Sequence, residues 1–207
     1  RTLKCFEVPS LSMEDRERTA MYVAERSRKD VKNDLDSKDK WLNKLDTTIT
    51  ASSVNQNNLT RVVQLFNKTN QLNLSTRRLS EKEINDWLNQ NNRSMKAISV
   101  ADKFGDMGLV GIISVEENGG KGQLIDFILS CRVMGRMIEE TLIHIAVSEL
   151  AKLNSKTMEI TYLPTERNRP TLEVLENANL INVDLYKFQV SVTEGYKKPC
   201  TVKLNWS

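Results

Sequence analysis

The run Cys131-Arg132-Val133-Met134-Gly135-Arg136-Met137 gathers a thiol, two guanidiniums and a glycine, and it holds the most pointed chemistry in the chain. A thiolate accepts an acyl group from one carrier and releases it to the thiol of another, and neighbouring cations or a helix start favour that reactive form. Gly135 lets an anion approach the backbone, while the unpaired N–H groups and dipole of a helix start attract phosphate. Each feature also has a plainer reading. Alternation along the preceding strand places Cys131 on the side of Ile125, Phe127 and Leu129, where a buried inert cysteine is expected unless a bulge reverses the parity. Any strand-to-helix turn can use one glycine, and Met137 would crowd a phosphate held there.

Other titratable residues point less sharply. His144 falls mid-helix, opposite Leu142 and Ala146 and in line with Glu140 and Ser148, which reads as a solvated face and not a general base. Asp102 and Asp106 flank a turn, where Asp is favoured with or without catalysis. Arg77, Arg78, Arg132, Arg136, Arg167 and Arg169 fall near loops and could meet an acidic protein or a phosphate, or be ordinary surface charge. The three cysteines Cys5, Cys131 and Cys200 are odd in number and widely spaced, so reduced thiols are expected, with neither a disulfide framework nor a metal site.

The elements that must position these residues follow from periodicity. Ser12 with Asp15 opens a charged helix over 13–33 with Val23, Ala24 and Val31 as its few apolar anchors, and Ser37 caps a short helix carrying Trp41, Leu42 and Leu45. A strand is predicted over 47–54. Leu59, Val62, Val63 and Phe66 recur at helical spacing, and Ser80 with Glu83 caps a helix bearing Ile84, Trp87 and Leu88. Strands over 98–104, 109–115 and 124–131 form an antiparallel meander through turns at 105–108 and 118–122. A long helix over 137–153, a strand over 158–163, a helix over 170–177 and strands over 185–192 and 201–206 complete the order. The fold class expected is mixed α/β with a mostly antiparallel central sheet, divided into a helical extension at 1–46 and a main domain at 47–207.

Composition bounds the function. The 207 residues are 39% hydrophobic and 28% charged, ordinary for a globular chain, and a net charge of +3 is too slight to argue for nucleic acid. No apolar run is long enough for a membrane span and none resembles a secretory signal, so a cytoplasmic protein is expected. The start at Arg1 suggests a piece of something longer.

Two levels of resemblance emerge from these motifs. The 132–137 run between a strand and a long helix resembles the pyrophosphate loop of GNAT acyltransferases, with Met137 where Gly or Ala is usual. Asn168, followed by Thr171, Leu175, Asn179 and Leu180, matches a GNAT spacing in which the Asn contacts pantetheine; only Asn168 keeps the usual residue, and a helix cap would use it equally well. Four motifs in register over about residues 10 to 182 then resemble FkbH-like proteins. They are Asn67-Lys68-Thr69-Asn70-Gln71-Leu72-Asn73-Leu74-Ser75-Thr76-Arg77-Arg78, Asp102-Lys103-Phe104-Gly105-Asp106, Ser130 to Arg136, and Tyr162-Leu163-Pro164-Thr165.

The resemblance implies a GNAT-like domain that works with an upstream HAD-type phosphatase part and an acyl carrier protein, forming a glyceryl thioester for methoxymalonyl-type units in polyketide assembly. It implies Cys131 as acyl relay. Arg132, Val133, Met134, Gly135, Arg136 and Asn168 would hold the phosphopantetheine of the carrier or of coenzyme A. Asn70, Gln71, Asn73, Arg77, Tyr162 and Thr165 would face the substrate; for the polar 67–78 stretch, a turn between helices is the competing reading. Asp34-Leu35-Asp36 echoes a phosphatase Asp-x-Asp pair but lacks a buried strand ahead of it, and is read as surface charge. A non-catalytic carrier-docking module and a coenzyme A-dependent N-acetyltransferase are the rival functions.

Overall fold

The computed structural model describes residues 13–33 and 37–207. The Ser12 to Asp15 capping box, Cys5 and the Asp34/Asp36 pair lie outside the described residues. The chain runs α1 (Met13–Asn33), α2 (Lys38–Leu45), β1 (Thr47–Ser53), α3 (Leu59–Lys68), β2 (Leu72–Asn73), α4 (Glu81–Leu88), β3 (Arg93–Asp102), β4 (Gly105–Asn118) and β5 (Lys121–Leu129). It continues with α5 (Ile138–Lys152), β6 (Thr157–Thr161), α6 (Arg169–Asn177), β7 (Ile181–Asp184), β8 (Lys187–Ser191) and β9 (Val202–Trp206).

The caps read from sequence form. Ser37 Oγ accepts from the Lys40 N–H at 3.3 Å. Ser80 and Glu83 close a reciprocal box, with the Ser80 N–H donating to Glu83 Oε2 at 2.8 Å and the Glu83 N–H to Ser80 Oγ at 3.4 Å.

One sheet runs β7-β8-β6-β5-β4-β3-β1-β9, with β2 joined to β5. The β3–β4–β5 meander is antiparallel, whereas β6 lies parallel to β5 and β9 parallel to β1. Both faces are covered. Leu59, Val62 and Phe66 of α3 and Ile84 and Trp87 of α4 bury Met95, Ala97, Ile112 and Ile128 on one side. On the other lies α5, whose Ile138, Leu142, Ile143, Ile145, Ala146 and Leu150 are fully buried among Val110, Ile113, Phe127 and Leu129. Each of these leucines and isoleucines contributes about 1.5–3 kcal/mol of burial. Contact is so close that a Cβ on Gly122 would lie 2.5 Å from the Leu150 methyls, which explains a glycine inside β5.

The structure departs from the periodicity at several points. The meander turn is Lys103-Phe104, not 105–108, because Asp102 pairs with Gly105 and Ala101 with Asp106; Asp102 Oδ1 accepts the Phe104 N–H at 2.9 Å and tightens it. The strand expected over 124–131 ends at Leu129. That expected over 185–192 is Lys187–Ser191, and it pairs with a strand the periodicity did not show, Ile181–Asp184, across a turn at Leu185 and Tyr186, whose φ is +63°. Finally, β6 leaves β5 after Leu124 and Ile160. The edge of β5 so released is taken up by β2, with Leu72 opposite Leu129 and Asn73 opposite Ile128.

Candidate functional site

Where β5 ends, the chain turns through a single 3-10 turn, Cys131–Val133, anchored by buried Val133. Gly135 follows with φ +76°, then Met137 with φ +62° at the cap of α5. These left-handed residues are what swing the chain from the sheet onto the helix, and glycine is the residue that adopts such a φ without strain. Cys131 lies beyond the strand and is exposed. The expected alignment with Ile125, Phe127 and Leu129 fails for two reasons: a register shift in β4–β5 beside Ile125, and the end of the strand before the cysteine.

The N–H of Gly135, expected to face an anion, donates to Glu139 Oε1 at 2.6 Å. Glu139 is buried, and burial pushes its carboxyl above the usual carboxylate range against the pull of that N–H. A cavity of about 370 Å3 opens beside the turn, with Lys38, Gly135, Met137 and Glu139 on one side and Pro170 and Glu173 of α6 on the other.

Arg136 does not reach toward that cavity. Its guanidinium donates to Arg132 O at 3.1 Å and Glu25 Oε2 at 3.0 Å, and lies 3.5 Å from Asp102 Oδ2. Asp102, with a fully buried side chain, is gripped by Arg28 of α1 through Nε at 2.6 Å and Nη2 at 2.9 Å. The fork geometry is bidentate, the strong form of such a pair, and the bond to Asp102 raises the Arg28 pKa further. Arg132 Nη2 donates to Met107 O at 2.8 Å; partial burial, then the like charge of Arg61, lowers its pKa. Between α1 and this turn lies a second cavity of about 570 Å3, where Cys131, Arg132 and Met134 face Tyr22, Glu25 and Arg28. Met134 lines both cavities.

Most residues assigned to ligand are instead wired to protein. Asn168 is fully buried and its amide makes four bonds: it accepts from Tyr162 Oη at 2.9 Å and the Thr165 N–H at 2.7 Å, and donates to Asn73 O at 3.1 Å and Leu163 O at 2.9 Å. It stands at the N-cap of α6, where its backbone carbonyl accepts the Thr171 N–H at 2.9 Å, but its side chain makes no capping bond. Thr171 Oγ1 bridges the Asn73 N–H and Gln71 O, both at 3.0 Å. Asn73 turns its own amide onto Thr69 O and the Thr76 N–H. Arg77 pairs with buried Asp126, which also holds Ser75 and Ser114, and Arg78 binds Phe66 O and Asn70 Oδ1. This mesh, with β2, fills the opening between β5 and β6.

Sequence reasoning missed Asp126, Glu139 and Arg28 as structural groups. Only Glu139 carried a signal, as a first-turn acid in a helix. His144, expected on a solvated face, is half-buried and donates from Nδ1 to Tyr196 O at 2.6 Å. Among the described residues no cluster of His, Cys, Asp or Glu could hold a metal ion, and no helix is long and apolar enough to cross a membrane.

The layout is the GNAT fold. A domain from Methanocaldococcus jannaschii DSM 2661 aligns at a TM-score of 0.54 and 16% identity, covering 70% of this chain and 99% of that one. Spermidine N-acetyltransferase from Vibrio cholerae, solved with CoA and spermine, aligns at 0.52 and 14% over 70% and 96% of the two chains. The GNAT domain of S. lividans PAT aligns at 0.51 and 11% over 69% and 89%. No protein-family model matches the sequence, and neither does any curated protein.

Proposed function

We propose that this protein is an acyltransferase that draws its acyl group from a pantetheine thioester, with coenzyme A as donor. One observation carries the reading: the strand-to-helix turn of a GNAT fold stands between two cavities that share Met134 as a wall, one beside Gly135 and Lys38 and the other holding Cys131. A Cβ at Gly135 would meet nothing within 4 Å, so the turn has room for a phosphate. Lys38 would meet the pyrophosphate beside the Gly135 N–H, which Glu139 would have to release, and the arm would pass Met134 toward Cys131. Arg136 and Asn168 serve by holding the walls, since their polar atoms are committed to protein. The bound donor supplies an activated acyl carbonyl. The similar Vibrio cholerae enzyme is a spermidine N-acetyltransferase, which makes small amines the first acceptors to try.

A second reading is favoured by the exposure of Cys131 and by the FkbH-like motifs. In it the Cys131 thiolate attacks the thioester carbonyl, the new C–S bond forms as the donor C–S bond breaks, and the departing thiolate takes a proton. The reverse step on an acyl carrier protein passes on a glyceryl-type group, in a cytoplasmic protein carrying an upstream HAD-type phosphatase part and an extension at 1–46. Titration with acetyl-coenzyme A followed by intact mass and amine-acetylation assays tests both. Acetylated amine with Cys131→Ala unimpaired supports direct transfer. A mass increment on Cys131, with transfer abolished in Cys131→Ala, supports the relay. Absence of coenzyme A binding, with tight carrier binding and no turnover, would leave a docking module.

A further inference from the structure

The reading of Cys131 as an acyl acceptor leaves open from which side the acyl group arrives, and the geometry points to α1. The opening between β5 and β6 is closed to it: β2 bonds the free edge of β5, with the Leu74 N–H on Phe127 O at 3.1 Å, and Asn168 and Thr171 lock Asn73 and Gln71 in place. On the opposite side the thiol lines the 570 Å3 cavity walled by Tyr22, Glu25 and Arg28 of α1, a volume in the range of small-molecule sites. That wall is fixed in place. Arg28 grips Asp102, and Glu25 holds Arg136 at 3.0 Å.

We infer that the cavity between α1 and the Cys131 turn is the acyl-group site, and that Tyr22 and Glu25 are specificity-determining residues which limit the size and the charge of the acyl group. The mechanism requires only steric and electrostatic effects. Tyr22 is 71% exposed, so its ring forms a rim and not a core contact, and shortening it widens the mouth without emptying the core. Glu25 sets a carboxylate beside Arg28, Arg132 and Arg136 in the lining, where it offsets part of their positive charge and weakens their pull on an acyl group with an anionic tail. The ligand class is therefore a short acyl chain, with Glu25 setting how far an anionic tail is favoured.

The inference rests on the proposed function but is tested apart from it, by alkylation of Cys131 in the full chain read by peptide mass mapping. Iodoacetamide and iodoacetate attack the same thiolate, so ionisation cancels in their rate ratio and only the local charge remains. Glu25→Gln is expected to raise the iodoacetate-to-iodoacetamide ratio at Cys131 roughly threefold at low salt, an effect that shrinks as salt is added. Tyr22→Ala is expected to speed a bulky maleimide at Cys131 roughly threefold or more with little change for iodoacetamide, Cys200 serving as reference. A purely structural role for Glu25 would shift both small reagents together. Unchanged ratios in Glu25→Gln together with unchanged maleimide rates in Tyr22→Ala would overturn the inference, even if Cys131 is acylated. The expected changes without any acylation of Cys131 would keep the cavity assignment and sink the relay instead.

Discussion

At the scale of single residues, Glu139 sets the behaviour of the turn. Its carboxylate takes the Gly135 N–H that a donor phosphate would use, and burial raises its pKa. A raised folded-state pKa means that the ionised form fits the fold less well than the unfolded chain. The group's contribution to stability is then full below the ordinary carboxylate range and is lost as pH rises through the folded pKa. Glu139→Gln keeps an oxygen acceptor without the charge, so its melting temperature should exceed that of the parent at pH 7 and converge on it below about pH 4. Removing that charge should also tighten coenzyme A by several-fold, readable by calorimetry at the same pH. Weaker binding by this variant would mean that the phosphate lies elsewhere. The sequence showed Gly135 and its place before a helix, but not that the chain supplies its own anion, because a first-turn glutamate is as common on a solvated helix start as in a buried one.

At the scale of elements, periodicity was a good guide to the existence and order of the longer strands and helices, though it put the β3–β4 turn at 105–108 instead of Lys103-Phe104. The β-branched run read over 47–54 is a strand to Ser53, and the α3 stripe and the caps of α2 and α4 stand where they were read. Element β2 has two residues, too few for alternation, and its neighbours Asn73, Asn168 and Thr171 look the same in sequence whether they bind ligand or backbone. The structure makes them a polar plug, and its energetics can be measured. Asn168→Ala strands the buried Asn73 carbonyl and Tyr162 hydroxyl and removes the part-buried partners of Leu163 O and the Thr165 N–H, and should cost about 2–3 kcal/mol in urea unfolding. Thr171→Val leaves the Asn73 N–H and the Gln71 carbonyl unpaired and should cost about 1–3 kcal/mol. Because both grip β2, the double variant should lose less than the two losses combined. Strict additivity would mean that the plug is two separate contacts.

At the scale of the whole molecule, the central question is how a helix as polar as α1 stays on the sheet. Tyr22 and Val23 face solvent, Val31 packs against the Trp41, Leu42 and Leu45 cluster, and the other contacts among the described residues involve charge: Arg28 on Asp102, Glu25 on Arg136, Arg28 over the Phe104 ring at 5.9 Å and Lys32 over Trp41 at 5.2 Å. Sequence reading saw α1 as a helix with a thin apolar stripe; the charges across from it lie more than seventy residues away, out of reach of any local pattern. Arg28→Met keeps the aliphatic stem but leaves the buried Asp102 carboxylate with the Phe104 N–H and, as its one cationic contact, Arg136 at 3.5 Å, the situation in which a broken buried pair is most costly. The loss should be about 3 kcal/mol. Adding Asp102→Asn removes the stranded charge while preserving an oxygen acceptor for the Phe104 N–H, so the double variant should be more stable than Arg28→Met alone. Asp102→Asn in the parent should be destabilising, since it strands Arg28. That reversal of sign, followed by urea denaturation of the full chain, is the signature of α1 docked through a buried charge; three near-zero effects would mean that α1 does not rest on the Cys131 cavity.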